Sequence, residues 1–336
     1  MWKSLAAMPI VFSLAIPAVA VAQEAPASEK SQSEQTVDAL NGVFGVHPGA
    51  RAAHAKGIVL EGTFTPSASA APVSKAIHLQ RGKKAAIPVT VRFSNSPGVP
   101  TIPDTDAGAG PRGMAVKFHL PDKSVTDIVA HSFNGFPVAT GAEVRDLFLA
   151  IAATKPDSPK PTALDTFLST HPATKAFVEA PKPAPVSFGT LAYFGVNAFK
   201  FTNAKGVATF GRYQLQPVGG VKVLTSEQVS KKGPDYLSEE IRDRVHHGPI
   251  KYKLLLQVAG PDDKIDDPTI AWPDSRKKVE LGTLVITKAV KDSHAVEKQL
   301  LFMPGALVPG IEAADPMIAD RSAAYIVSLS RRAKTQ

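Results

Sequence analysis

Short apolar, β-branched runs recur along the middle of the chain, and each predicts a strand. Residues 57–64 (GIVLEGTF) are β-branched and partly alternating, the mark of a strand with one buried face. Residues 87–93, 114–120 and 127–133 repeat the pattern, each bounded by Gly, Pro, Asn or Asp. Helical periodicity then takes over. Thr140-Gly141-Ala142-Glu143 is a capping box, and Val144, Leu147, Phe148 and Ile151 recur on one face of a helix predicted to run to Ala153. Two shorter helices are predicted over 163–168 and 173–179. Strands return over 199–202 and 208–216, joined by a turn at 203–206. Pro234 opens a helix to His246, residues 252–258 and 283–287 read as strands, and a last helix runs from Pro316 to the end. Many strands at regular spacing with inserted helices predict an α+β antiparallel barrel, although a two-sheet sandwich fits the same pattern.

The N-terminal end is patterned differently. Lys3 precedes an apolar stretch over 6–21, which Pro9 and Pro17 break and which is short for a membrane span. Ala20-Val21-Ala22 then puts small residues at cleavage positions. Residues 1–22 are therefore expected to be a cleaved secretory signal that leaves no stable membrane anchor. Residues 23–36 are polar and small, and are expected to be a disordered linker. No comparable break and no internal repeat follow, so 37–336 is expected to be one domain.

Composition narrows the function classes. Apolar residues are 44% of the 336 and charged residues 20%, ordinary for a soluble globular chain with a sizeable core. The net charge of +8 is scattered, without a dense basic run interleaved with aromatics. It reads as a solvated basic surface, not a nucleic-acid partner. The absence of cysteine excludes disulfides, thiolate ligation of a metal and cysteine catalysis, and it suits an oxidising compartment.

Three sets of residues can carry chemistry. In Asp320-Arg321-Ser322-Ala323-Ala324-Tyr325, Arg321 and Tyr325 are four apart and share a helix face. A tyrosine ligates iron as phenolate, which a guanidinium one turn away stabilises. Arg332, seven residues on, returns to that face. Alone, such a pair equally describes a core tyrosine beside a surface arginine. The second set is Arg51-Ala52-Ala53-His54-Ala55-Lys56-Gly57 at the mouth of the first strand. A neutral His54 could move a proton between the two oxygens of a peroxide, or be a satisfied histidine at a strand entry. The third is Val91-Arg92-Phe93-Ser94 with Pro111-Arg112-Gly113-Met114-Ala115-Val116-Lys117-Phe118; Arg92 and Ser94 share a strand face.

These blocks, in this order, resemble the haem catalases. Phe201-Thr202-Asn203-Ala204-Lys205-Gly206, Ala271-Trp272-Pro273, Leu281-Gly282-Thr283-Leu284, Val308-Pro309-Gly310-Ile311-Glu312 and Asp315-Pro316-Met317 extend the likeness from His47 to Arg332. The resemblance implies an antiparallel barrel enclosing haem, with helices packed outside. It implies Tyr325 as iron ligand, Arg321 as its partner, His54 as catalytic histidine and Ser94 as its hydrogen-bond partner. Arg51, Arg92 and Arg332 match positions that hold haem propionates, and Phe133 and Phe136 would wall the cavity. Ferric haem, of type b, is the implied cofactor.

Where the chain departs from the pattern matters for activity. Full catalases carry a G-N-N-x-P run where this chain reads Ala130-His131-Ser132-Phe133-Asn134. An ungapped alignment puts Ser132 at the asparagine, and Asn134 could replace it after a loop shift; His131 could also line the pocket. The pair His246-His247 closes a helix, where cations favour the C-terminal dipole. The length, the signal and the missing N- and C-terminal extensions resemble the compact periplasmic catalase-related peroxidases. That branch implies reduction of hydrogen peroxide or organic hydroperoxides by small organic donors, weak catalase activity, and a monomer or homodimer. Two other readings stand beside it: an enzyme rearranging lipid hydroperoxides, as allene oxide synthases do, and a non-catalytic periplasmic haem carrier. No motif supports NADPH binding.

Overall fold

The computed structural model describes residues 29–80 and 86–335, together with Met1. Contacts divide the chain into Met1–Lys30 and Ser31–Gln336, and all that follows concerns the second unit. Apart from Met1, the expected signal over 1–22 lies outside the described residues.

Eight strands form the frame: β1 (Gly57–Pro66), β2 (Ile87–Ser94), β3 (Gly113–His119), β4 (Val125–His131), β5 (Tyr193–Thr202), β6 (Ala208–Pro217), β7 (Ile250–Val258) and β8 (Lys278–Ala289). Each pairs antiparallel with the next, β8 pairs back with β1, and β4 meets β5 at His131 and Phe194. That closure makes an eight-stranded barrel and removes the sandwich alternative. A short β9 (Ile311–Ala313) adds to β5.

The alternation read along the strands decides what lies inside. Val91 and Phe93 of β2, Met114 and Val116 of β3, and Ile128 and Ala130 of β4 belong to one buried cluster, with Phe64, Phe118, Tyr193, Phe201 and Tyr252. These side chains fill the barrel, and Met114 and Ala130 also border a cavity on its outer side. The neighbouring Arg92 and Ser94, Gly113 and Ala115, Val129 and His131 line that cavity on the opposite face of the same three strands. The space able to take a large ligand therefore lies against the barrel wall, not in its lumen.

Helices pack around the barrel. The helix predicted after Thr140 is α2 (Gly141–Ala153), with the Thr140/Glu143 capping box formed at both bonds. The shorter predictions are α3 (Ala163–Thr170) and α4 (Pro172–Glu179). Next come α5 (Ser226–Ser230), α6 (Tyr236–His247) and α7 (Ser293–Glu297), then α8 (Met317–Ala333). The expected linker over 23–36 is corrected at its C-terminal end. Ser31 and Glu34 form a second capping box that starts α1 (Gln32–Phe44), and Thr36, Val37 and Ala39 are buried. Polar composition hid this helix, because α1 buries only a narrow face against α2 and α8.

Candidate active site

His54 enters the cavity on a strained backbone. Its φ of 55° is in the left-handed region, which costs a non-glycine residue about 1–2 kcal/mol. The surrounding structure imposes it: His54 N–H donates to Ser96 O at 2.8 Å, and Ala55 N–H to Pro97 O at 3.0 Å. Arg92 Nη2 donates to His54 O at 2.9 Å. Strain that is held from several sides in this way is a frequent feature of reactive sites. The ring bonds Ser94 Oγ through Nδ1 at 3.0 Å, which leaves Nε2 for a substrate. Burial, then the guanidiniums of Arg92, Arg321 and Arg51, lower its pKa to about 3, so the imidazole is neutral across the physiological range.

Gly113 explains part of the third motif. A Cβ there would lie 2.5 Å from Ser94 Oγ and 2.8 Å from His54 Nδ1. Only glycine lets β3 pass beneath the Ser94–His54 pair.

The second wall of the cavity is α8. Arg321 Nη2 donates to Tyr325 Oη at 3.0 Å. Arg321 Nη1 donates to Asn197 Oδ1 on β5, and Asn197 Nδ2 donates to Asp315 Oδ2 at 2.7 Å. Asp315 is closed off in turn by the Met317 amide at 2.9 Å. Burial lifts its carboxyl above the usual range, against those two hydrogen bonds. The sequence offered no signal for Asn197, which lies where β5 slips its register against β6. Asp320, beside Arg321, accepts from the Gly141 amide at 3.1 Å and ties α8 to the start of α2.

A charged cluster forms the third part. Arg51, Arg92 and Arg332 all line the cavity. Glu297 Oε2 accepts from Arg92 Nη2 at 2.8 Å and from Arg51 Nη1 at 2.9 Å. Arg51 and Arg332 each donate to Leu300 O at 2.7 Å. Burial first, and the like charge of Arg92 second, push the Arg332 pKa down to about 10. Burial with Arg92 and Arg332 lowers Arg51 well below its usual value. Glu297 was not foreseen; its short helix α7 carries no distinctive motif.

Three residues named from the sequence do not join the cavity. Ser132 accepts from the Arg112 amide at 2.9 Å and its own amide donates to Arg112 O, which carries the β3–β4 pairing one residue past His131. The chain then bends, and Ser132, Phe133 and Asn134 are off the cavity lining. Phe133 packs edge-on against Phe177 with centroids 5.0 Å apart, and the Lys182 ammonium sits 5.1 Å over its ring. The cavity-wall role expected of Phe133, and those of Asn134 and Ser132 as replacement for the asparagine, are corrected on this geometry. His131 fills the position instead, with Phe136 beside it at 6.0 Å.

The whole cavity is about 660 Å³, in the range of sites for cofactor-sized ligands. Val37, Leu40 and Phe44 of α1 and Val144, Leu147, Phe148 and Ile151 of α2 give it an apolar wall. A catalase family model matches residues 47–335, from just before His54 to the end of α8. The chain belongs to the catalase family. It is 36% identical to a catalase-related peroxidase of Mycolicibacterium paratuberculosis, over 89% of this chain and 94% of the relative. It is 32% identical to a catalase-related peroxidase of Synechococcus elongatus, over 99% of this chain and 96% of the relative. Among solved structures it resembles a bacterial catalase, with a TM-score of 0.74 at 21% identity. That likeness covers 94% of this chain and 63% of the bacterial one.

Proteins of the catalase family typically bind haem, and the cavity has the donor set such a group needs. It offers one tyrosine oxygen with a guanidinium donor, an apolar wall, and three arginines against one carboxylate. Arg92 Nε and Arg332 Nε are buried without a hydrogen-bond partner among the described residues. Unsatisfied buried donors are rare in native proteins and mark places for an anion.

Proposed function

We propose that this chain is a haem peroxidase that reduces hydrogen peroxide or organic hydroperoxides with small organic donors and has weak catalase activity. The observation that carries it is the meeting, in one cavity, of the Tyr325–Arg321 pair with the His54–Ser94 pair. Family membership and the catalase-related peroxidases matched over nearly the full chain support an oxidoreductase acting on peroxide.

In this reading Tyr325 Oη would hold the ferric iron of haem b, with Arg321 keeping negative charge on that oxygen. Arg51, Arg92 and Arg332 would receive the propionates: three guanidiniums less the one Glu297 carboxylate leave two positive charges for two carboxylates. Bound haem supplies the redox centre between peroxide and donor. The net reaction is ROOH + 2 AH → ROH + H2O + 2 A•, where AH is a one-electron organic donor. Neutral His54 takes the peroxide proton at Nε2 from one oxygen and returns it to the other, while Ser94 at Nδ1 selects the tautomer. Among the described residues no asparagine lines the cavity, which agrees with weak disproportionation of two peroxides. Export to the periplasm, with removal of residues 1–22, and a monomeric or homodimeric state complete the reading.

The apolar α1–α2 wall also favours a second reading, rearrangement of a lipid hydroperoxide without any donor. One experiment separates the two. The mature chain is reconstituted with haem, its absorption spectrum recorded, and peroxide turnover followed with and without an oxidisable dye. Five-coordinate ferric haem and dye-dependent turnover, both lost in Tyr325→Ala, are expected. Turnover of a fatty-acid hydroperoxide independent of dye would favour rearrangement, and vigorous oxygen release without dye would mean a true catalase. No haem uptake would sink all three, and haem uptake without turnover would leave only a carrier.

A further inference from the structure

We propose that His131 is a second catalytic imidazole, which touches the peroxide alongside His54. The inference rests on the peroxidase reading above and adds a residue to it.

The argument begins with strand register. Ser94 of β2 faces Gly113 of β3, and Gly113 faces His131 of β4. Residues directly opposite in antiparallel strands point to the same face, with Cβ atoms about 5 Å apart. Ser94, Gly113 and His131 thus form one row across three strands on the cavity side. The middle member has no side chain. His54, bonded to Ser94, sits over the glycine in the middle of the row, and His131 stands beside it at one end.

The state of the His131 ring is the second, independent observation. His131 is 8% exposed, lines the cavity, and both its ring nitrogens are buried without a hydrogen-bond partner among the described residues. A histidine with a purely structural role normally spends at least one nitrogen on the protein, as His54 does on Ser94. Here both are free for a ligand. Phe136 packs beside the ring, with centroids 6.0 Å apart. Burial first, then the titratable groups around it, Arg321, His54 and Lys182, keep the imidazole uncharged, while the Phe133 backbone pulls the other way.

Two neutral imidazoles suit a hydroperoxide. A neutral imidazole has one N–H donor and one lone-pair acceptor. A hydroperoxide carries a single proton, which His54 takes from one oxygen and returns to the oxygen that leaves. The His131 N–H donates a hydrogen bond to the other oxygen and holds it, without adding or removing a proton. The atoms and electrons of the net reaction are unchanged.

The test compares the wild-type chain with His131→Phe and His131→Asn, each reconstituted with ferric haem. Haem uptake is read first, from the absorption spectrum. Cyanide affinity is then titrated optically, and peroxide reduction is followed with a dye donor. In the phenylalanine variant, peroxide reduction is expected to fall on the order of a hundredfold, as for loss of one hydrogen-bond donor aimed at the reacting oxygen. Cyanide binding should weaken about tenfold, as for loss of one hydrogen bond to the bound ligand. The haem spectrum should not change, and asparagine should restore part of both losses. Should the phenylalanine variant not fold, His131→Leu takes its place, read by the same two measurements against the wild type. Wild-type values in a folded, haem-loaded His131→Phe or His131→Leu variant would overturn the proposal. A wild-type chain that takes up no haem would instead bring down the peroxidase reading, and this inference with it.

Discussion

The Glu297 carboxylate lies 2.8 Å from the Arg92 guanidinium and shares the same oxygen with Arg51 at 2.9 Å. Burial pushes its carboxyl up, yet the two arginines outweigh burial and hold it below the usual range. Removing one partner of a buried pair leaves uncompensated charge, so Glu297→Gln is expected to cost about 3 kcal/mol. Urea unfolding of the haem-free chain at pH 7 checks this. The contribution is complete above the ordinary value of 4.5 and is lost as pH falls through the lower folded value. The gap between variant and wild type should therefore narrow below pH 4.5.

Three buried histidines set a second pH dependence. His54 and His131 are lowered to about 3 and His78 to about 4, in each case chiefly by burial. The unfolded chain takes up these protons below about 6.5, and the folded chain does not until about 4 or 3. Stability is thus fully present above pH 6.5 and falls with pH below it. Each histidine contributes a slope of up to about 1.4 kcal/mol per pH unit. Denaturation midpoints measured from pH 7 to pH 4.5 should drop steeply, and His78→Asn should flatten the drop by about a third. An unchanged slope in that variant would show that His78 ionises freely in the folded chain.

Gly113→Ala places a methyl group against Ser94 Oγ and His54 Nδ1. The pair must part or β3 must shift, at about 1–3 kcal/mol. The variant is expected to keep the barrel, by far-ultraviolet circular dichroism, while its peroxide reduction falls more than its stability does. Loss of stability with unaltered turnover would mean that the Ser94–His54 bond is dispensable.

Asn197 joins Asp315 to Arg321. In Asn197→Leu, Asp315 Oδ2 loses its buried donor and Arg321 Nη1 its acceptor, which is expected to cost about 2–3 kcal/mol. Haem should also be lost more readily, because Arg321 is no longer aimed at Tyr325. Transfer of haem to an excess of a haem-binding competitor, timed optically, measures the second effect.

Much of the frame was legible because it is local. Eight strands, the helix after Thr140 and the C-terminal helix follow from period-2 and period-3.6 patterns that one segment carries by itself. The Arg321–Tyr325 pair was readable for the same reason, since four residues on a helix is a distance. Helix α1 was also written locally, in the Ser31/Glu34 box, but its polar composition masked it.

Contacts between segments distant in sequence were not written in any one segment. Glu297 meets Arg92 across 205 positions, and Arg321 meets Asn197 across 124. Neither pairing leaves a trace in either segment. The same holds at the end of β4. The sequence offered Asn134, after a loop shift, or Ser132 for the missing asparagine, and His131 only as a further pocket residue, because which side chain faces the cavity depends on strand register. In the structure, pairing with Gly113 puts His131 on the cavity face, and Ser132 and Asn134 are not among the residues that line it. The sequence by itself thus determined the elements and the types of chemical group, since these depend on near neighbours along the chain. Barrel closure, helix packing and strand register decided which of those groups share one cavity, since these depend on neighbours in space.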